Sequence, residues 1–290
     1  MQTSDTLVST EWLAAKLEDP ALRIVDSSVF LERNPNGFGY RYESGRAQWA
    51  ERHVPGAQFL DLIDELSDTR GQVRFMMPAA ERFAETVGRH GLGDEHQIVI
   101  YATGMVMWAT RLWWMFRAVG CHKVAVLDGG YSKWIAEGRP VTAEQRRFPP
   151  ARFTARPDPR RWADKSEMLA TIGSEAVCTI NALSPETYNG TLNTYGRPGH
   201  IPGSHSVFYG DLIDPANGTF RPIAELKPKF EAVGAFARPR AIVYCGGGIS
   251  ATMDAMALTL AGHPDVAIYD GSMGEWVLDP SLPLILGDTP

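Results

Sequence analysis

The stretch Tyr244-Cys245-Gly246-Gly247-Gly248-Ile249-Ser250-Ala251 sets a thiol directly before three consecutive glycines, with a helix-forming segment behind them. Glycine adopts φ > 0 where other residues resist it, so the amide N–H groups of Gly246, Gly247, Gly248, Ile249 and Ser250 can converge on one point. A nest of this kind, backed by the positive end of a helix, stabilises an anion, and the anion here is the sulfur of Cys245. A thiol so placed falls from a pKa of about 8.5 to roughly 3.5–7.5, each unit corresponding to about 1.4 kcal/mol. Cys245 is therefore expected to be a nucleophile at neutral pH. Gly247 is expected to hold the nest open through a positive φ.

Three other readings of the loop compete. Gly246-x-Gly248-x-x-Ala251, with Asp270 downstream, matches a dinucleotide fingerprint, but only 20 residues follow Asp270, too few for the second half of such a domain. A phosphate-binding cysteine loop needs an arginine six residues after the cysteine, and that position is Ala251. A buried structural thiol beside a flexible turn is the plain alternative. The chain has three cysteines, an odd number without CxxC spacing, which argues against a disulfide framework and a structural zinc site. Cys121 and Cys178 are expected to be inert thiols, with no metal and no cofactor involved.

The elements around the loop must place Cys245 at a strand end. Arg240 to Tyr244 reads as a strand, Ser250 to Ala261 as a helix and Asp265 to Tyr269 as the next strand. Such alternation implies a parallel sheet with helices on both faces, with ligands bound beyond the carboxyl ends of the strands. The pattern also occurs twice. His53-Val54-Pro55-Gly56-Ala57, Ile98 to Tyr101 and Val126 to Gly130 with Trp134 answer in order to His200-Ile201-Pro202-Gly203-Ser204, Ala241 to Tyr244 and Ile268 to Ser272 with Trp276. Between the copies, Arg139 to Trp162 carries five prolines among seven arginines, a composition for a solvated strap rather than a core element. The expected organisation is a domain over 1–142, a linker over 143–159 and a second domain over 160–290. Ala102 follows Tyr101 where Cys245 follows Tyr244, so the first domain should lack a nucleophile. His53 and His200, each in a turn before proline, are expected to have structural roles.

A net charge of -6 offers no general footprint for nucleic acid. The N-terminus lacks the basic start and apolar run of a secretory signal, so the mature protein is expected to begin near Met1. The most apolar stretch, Met105 to Phe116, carries Arg111 and is well short of the ~20 residues that span a bilayer, so it reads as a buried helix. No membrane partner is expected, and unpaired cysteines fit the cytoplasm.

These motifs together resemble tandem-domain rhodaneses, the thiosulfate and 3-mercaptopyruvate sulfurtransferases, over nearly the whole chain. Val25 to Ser28, Arg52 to Ala57, Arg111 to Arg117 and Leu127 to Gly130 resemble that family's non-catalytic domain. Gly199 to Gly203, Cys245 to Ala251 and Pro264 to Ser272 with Glu275-Trp276 resemble its catalytic domain. The resemblance implies an α/β fold of two rhodanese-like domains, each a parallel sheet flanked by helices. It further implies double displacement: Cys245 takes sulfur from a small anionic donor as a persulfide and passes it to cyanide or a thiol. By the same resemblance Met107 and Trp108 face the persulfide across the interface, and Ser272 offers its hydroxyl to the sulfur. The family's usual anion-binding residues are absent: the chain reads Asn181-Ala182-Leu183 and Thr187 there, and Arg197 is the expected substitute. With no cationic pair beside Cys245, 3-mercaptopyruvate is expected to be preferred over thiosulfate. A persulfide carrier or regulatory module with little small-donor turnover is the alternative.

Overall fold

The computed structural model describes residues 6–290, so the expected start near Met1 lies outside it. In the first half, strands β1 (Leu7–Val8) and β2 (Leu22–Asp26) are followed by a hairpin of β3 (Val29–Arg33) and β4 (Tyr40–Ser44), then by β5 (Ala57–Phe59), β6 (Gln97–Tyr101) and β7 (Val124–Leu127). Apart from the hairpin they form one parallel sheet in the order β1-β7-β6-β2-β5. In the second half β8 (Trp162–Ala163), β9 (Val177–Asn181), β10 (Ser204–Ser206), β11 (Arg240–Tyr244) and β12 (Val266–Tyr269) form the parallel order β8-β12-β11-β9-β10. The two orders superimpose strand for strand, so the duplicated landmarks mark a duplicated topology. Central strands such as Gln97–Tyr101 and Arg240–Tyr244 are continuous apolar runs because helices cover both faces.

Helices α1 (Thr10–Ala14), α2 (Arg46–Glu51), α3 (Ala80–Arg89), α4 (Met107–Ala118) and α5 (Gly130–Ala136) belong to the first half. Helices α6 (Lys165–Ala170), α7 (Pro185–Tyr188), α8 (Ile223–Ala232), α9 (Ala251–Leu260) and α10 (Ser272–Trp276) belong to the second. Among these, α4 and α9 are buried almost all round, because each packs on its own sheet and the two helices pack on each other. Thr110 Oγ1 and Thr252 Oγ1 lie 2.6 Å apart across this contact. One apolar core therefore runs through both halves. No helix among the described residues is long and apolar enough to cross a membrane.

The duplication reaches individual hydrogen bonds. Tyr101 Oη accepts the Val54 N–H and Tyr244 Oη accepts the Ile201 N–H. His53 rests its ring nitrogens on the carbonyls of Trp49 and Glu144, and His200 on those of Tyr188 and Thr289. Both imidazoles thus tie down the chain that leaves their half. Residues 143–158 hold no regular element and lie along the first half, where Ala151 N–H donates to Gly88 O and Arg156 N–H to Val119 O.

Candidate active site

β11 delivers Cys245 to the carboxyl edge of the second sheet and α9 begins at Ala251, so the glycine loop lies between a strand end and a helix start. Cys245 is 1% exposed. The sharp turn falls at Gly248, with φ +70, where an added Cβ would stand 2.6 Å from the Asp270 carbonyl. Gly247 has no positive φ and a Cβ there meets nothing within 4 Å, which corrects the expectation for that residue. The turn comes one residue later because that is where the loop presses against the end of β12.

Ser272 also differs from expectation. Its Oγ donates to Tyr269 O at 2.7 Å and accepts the N–H groups of Cys245 and Gly248, both at 3.1 Å. Its one proton points away from the sulfur, so the hydroxyl braces the loop backbone. The N–H groups of Gly246, Gly247, Ile249 and Ser250 bond to no described residue. The loop carbonyls are held as well: Cys245 O accepts from Met273 N–H, and Gly246 O from Gly274 N–H.

The first half grips this loop directly. Arg111 of α4, 1% exposed, donates from Nη1 to the Gly248 carbonyl at 3.1 Å and to Asp270 Oδ1 at 2.5 Å, and from Nη2 to the Phe75 carbonyl. Asp270 Oδ2 accepts the Met77 N–H at 2.7 Å, so this carboxylate is no free ribose acceptor. Phe75 and Ser272 are the non-glycine residues with positive φ among those described, and both flank this junction, where strain is held by surrounding contacts. Sequence reasoning passed over Arg111 as a site residue. The signal was a guanidinium inside an apolar helix, which must be paired when buried.

A cavity of about 410 Å³ opens over Cys245 and is lined by both halves. Met107 and Trp108 line it with Cys245. The hairpin contributes Phe38, Tyr40 and Tyr42, Tyr195 comes from a second-half loop, and Tyr209 from the 3-10 turn Tyr209–Leu212. Gly39 N–H donates to Thr194 O at 2.8 Å, fastening the hairpin beside Tyr195. The hairpin went unread, although Asn34-Pro35-Asn36-Gly37 between two strand-forming runs is a turn signal. Arg197 is not among the lining residues. Its guanidinium donates to the carbonyls of Asp279 (2.8 Å) and Leu282 (2.7 Å), and so anchors the C-terminal segment. The charged side chain that lines the cavity with Cys245 is Arg74, over the Tyr42 ring at 6.0 Å. A larger cavity, about 770 Å³, includes Ala102 and Gly130 of the first half's matching loops, where no thiol stands.

Asp254 on α9 is fully buried and neither carboxylate oxygen has a partner among the described residues. Burial, with a smaller contribution from the Cys245 sulfur, pushes its pKa well above the ordinary carboxylate range.

The chain matches the rhodanese-like domain twice, over residues 9–137 and 167–279. It is 34% identical to 3-mercaptopyruvate sulfurtransferase of Homo sapiens over 96% of this chain and 93% of the relative. It is 35% identical to thiosulfate sulfurtransferase of Cricetulus griseus, over 93% and 91%. The crystal structure of the 3-mercaptopyruvate sulfotransferase SseA of Escherichia coli superposes with a TM-score of 0.79 at 28% identity, covering 92% of this chain and 98% of that one.

Proposed function

This chain belongs to the rhodanese family of sulfurtransferases, and from that premise we propose that Cys245 carries the transferred sulfur as a persulfide, loaded from a small anionic donor and passed to a thiol or cyanide. The observation that supports it is a buried thiol that lines a cavity and is followed by a loop whose Gly246, Gly247, Ile249 and Ser250 N–H groups bond to no described residue. In the first half-reaction the Cys245 sulfur attacks the donor sulfur, and the bond between that sulfur and the rest of the donor breaks with its electron pair leaving on the donor fragment. In the second, an acceptor nucleophile takes the outer sulfur and Cys245 departs as thiolate. The amide nest meets the negative sulfur in both steps without needing to rearrange. No metal or cofactor enters this scheme.

The donor we propose is 3-mercaptopyruvate ahead of thiosulfate, with Arg74 in the anion-holding role first expected of Arg197. One guanidinium suits one carboxylate through paired hydrogen bonds, whereas the thiosulfate dianion has only that one cation to meet it. Both relatives named above bear one of these donors in their names. The cavity exceeds what either donor fills and leaves room for a thiol acceptor. All three cysteines are free, which fits a reducing compartment such as the cytoplasm.

Intact mass after exposure to each donor, with peptide mapping, tests the assignment. One added sulfur on Cys245, absent in Cys245→Ser, is the expected result; the sulfur on Cys121 or Cys178, or turnover by Cys245→Ser, overturns it. Steady-state kcat/KM for both donors in wild type and Arg74→Ala tests the donor. A loss of roughly 10- to 100-fold in the variant is expected from one charge-assisted contact of about 1.5–3 kcal/mol. A thiosulfate preference removes the donor assignment, and negligible turnover of both donors leaves a sulfur carrier loaded by another protein.

A further inference from the structure

When a 3-mercapto-2-oxo acid gives up its sulfur, the electron pair of the broken carbon–sulfur bond passes into the neighbouring carbonyl. The leaving group is an enolate, with its negative charge on an oxygen only two atoms from the departing sulfur. That oxygen needs a hydrogen-bond donor standing beside the loop, and in a water-poor site such a donor lowers the barrier substantially. The lining of the Cys245 cavity includes no histidine, aspartate, glutamate or lysine. Its hydroxyl-bearing side chains are Ser250 and the phenols of Tyr40, Tyr42, Tyr195 and Tyr209.

Of these, Tyr195 has its hydroxyl set against the glycine loop itself. A Cβ built on Gly246 would fall 1.9 Å from Tyr195 Oη, so the residue after Cys245 must be glycine for the phenol to lie there. The Tyr195 hydroxyl makes no hydrogen bond to any described residue, although the ring packs against the core. Burial, the Cys245 sulfur and the phenols of Tyr40, Tyr42 and Tyr209 all push its pKa up, so it remains protonated and able to donate.

We propose that Tyr195 is a catalytic residue of sulfur uptake, donating a hydrogen bond to the enolate oxygen that forms as the donor's carbon–sulfur bond breaks. The inference rests on the sulfurtransferase reading and on a 2-oxo acid donor. The pair on Cys245 forms the new S–S bond and the C–S pair becomes the enolate. The enolate carbon then takes a proton from water to give the 2-oxo acid, and the outer sulfur loses its own proton to solvent. Tyr195 keeps its proton throughout.

The test is Tyr195→Phe in the full chain, with single-turnover loading of Cys245 read by intact mass and steady-state rates on both donors. Loss of a hydroxyl bonded to no protein group leaves the packing in place. A fall of about 10²- to 10³-fold in kcat on 3-mercaptopyruvate is expected, the scale of losing one oxyanion donor, with KM changed far less. Sulfite leaves thiosulfate with its charge already on its own oxygens, so the loss on thiosulfate should be at least tenfold smaller. An unchanged kcat on 3-mercaptopyruvate, or an equal loss on both donors, overturns the proposal, the latter making Tyr195 a prop for the loop. Failure of wild-type protein to load sulfur from either donor removes the underlying reading instead.

Discussion

Replacing Arg111 by methionine removes the α4 side chain that hydrogen-bonds to the loop of the second half. Methionine keeps much of the stem's apolar packing over Trp162, whose ring lies 4.8 Å from the guanidinium carbon. What is lost is the ion pair to Asp270 and the donors to the Gly248 and Phe75 carbonyls, in a place where the arginine side chain is 1% exposed and the aspartate 8%. The Asp270 carboxylate would keep only the Met77 N–H. Breaking a buried pair by removing one partner costs about 3–5 kcal/mol, mostly because a charge is left uncompensated. At roughly 2–4 °C per kcal/mol for chains of ~150–250 residues, the expected fall in Tm is on the order of 6–20 °C. Asp270→Asn in the same chain removes the stranded charge, so Arg111→Met/Asp270→Asn should be more stable than the sum of the single effects by about 1–3 kcal/mol. Denaturant unfolding of the four proteins of this cycle measures the coupling. Sulfur loading should slow in Arg111→Met, since the Gly248 turn loses its anchor. A single-variant cost under about 1 kcal/mol, or additivity within about 0.5 kcal/mol, refutes the claim that this pair holds the loop.

Gly248→Ala is expected to slow persulfide formation and to cost about 1–3 kcal/mol from its φ of +70 and its crowding by Asp270, while Gly247→Ala stays near wild type in unfolding free energy; the reverse order would disprove the placement of the turn. Asp254 ionises near 3.8 when unfolded and well above that when folded, so stability present below that pH is lost as pH rises toward the raised folded value. Asp254→Val should therefore be stabilising, because an unpartnered buried acid is removed, and the gain should be larger at pH 7 than at pH 3 by the cost of keeping the folded acid protonated; urea unfolding showing an equal gain at both refutes the raised folded pKa. Residues 1–142 alone should show no transferase activity because Ala102 stands at the position of the thiol, and residues 160–290 alone should lack it too, because Tyr42, Met107 and Trp108 complete the cavity; donor-dependent turnover by either fragment contradicts this.

Much of the architecture was legible because it is written in local pattern. Apolar runs such as Ile98 to Tyr101 and Ala241 to Tyr244 announce fully covered parallel strands, and the repeated histidine-to-glycine and aspartate-glycine turns announce two copies of one topology. Cys245 stood out for the same reason, since three glycines after a strand have few uses other than turning amides inward.

The features that sequence left open depend on where side chains point once distant segments meet. Ser272 was correctly placed at the loop but wrongly aimed, because its hydroxyl direction follows from the backbone turn after β12 and from the nearby Tyr269 carbonyl. Arg197 borders the same part of the chain, yet two carbonyls of the C-terminal segment more than 80 residues on capture its guanidinium. The Arg111–Asp270 pair spans 159 positions and the hairpin tyrosines reach the cavity of the other half, so no periodicity within a window encodes either. The sequence by itself determined the duplicated fold and the position of the thiol, because backbone propensity and burial act over a few residues. Which groups surround that thiol was decided only by the packing of α4 against α9, which brings two sheets, one hairpin and two loops to the same point.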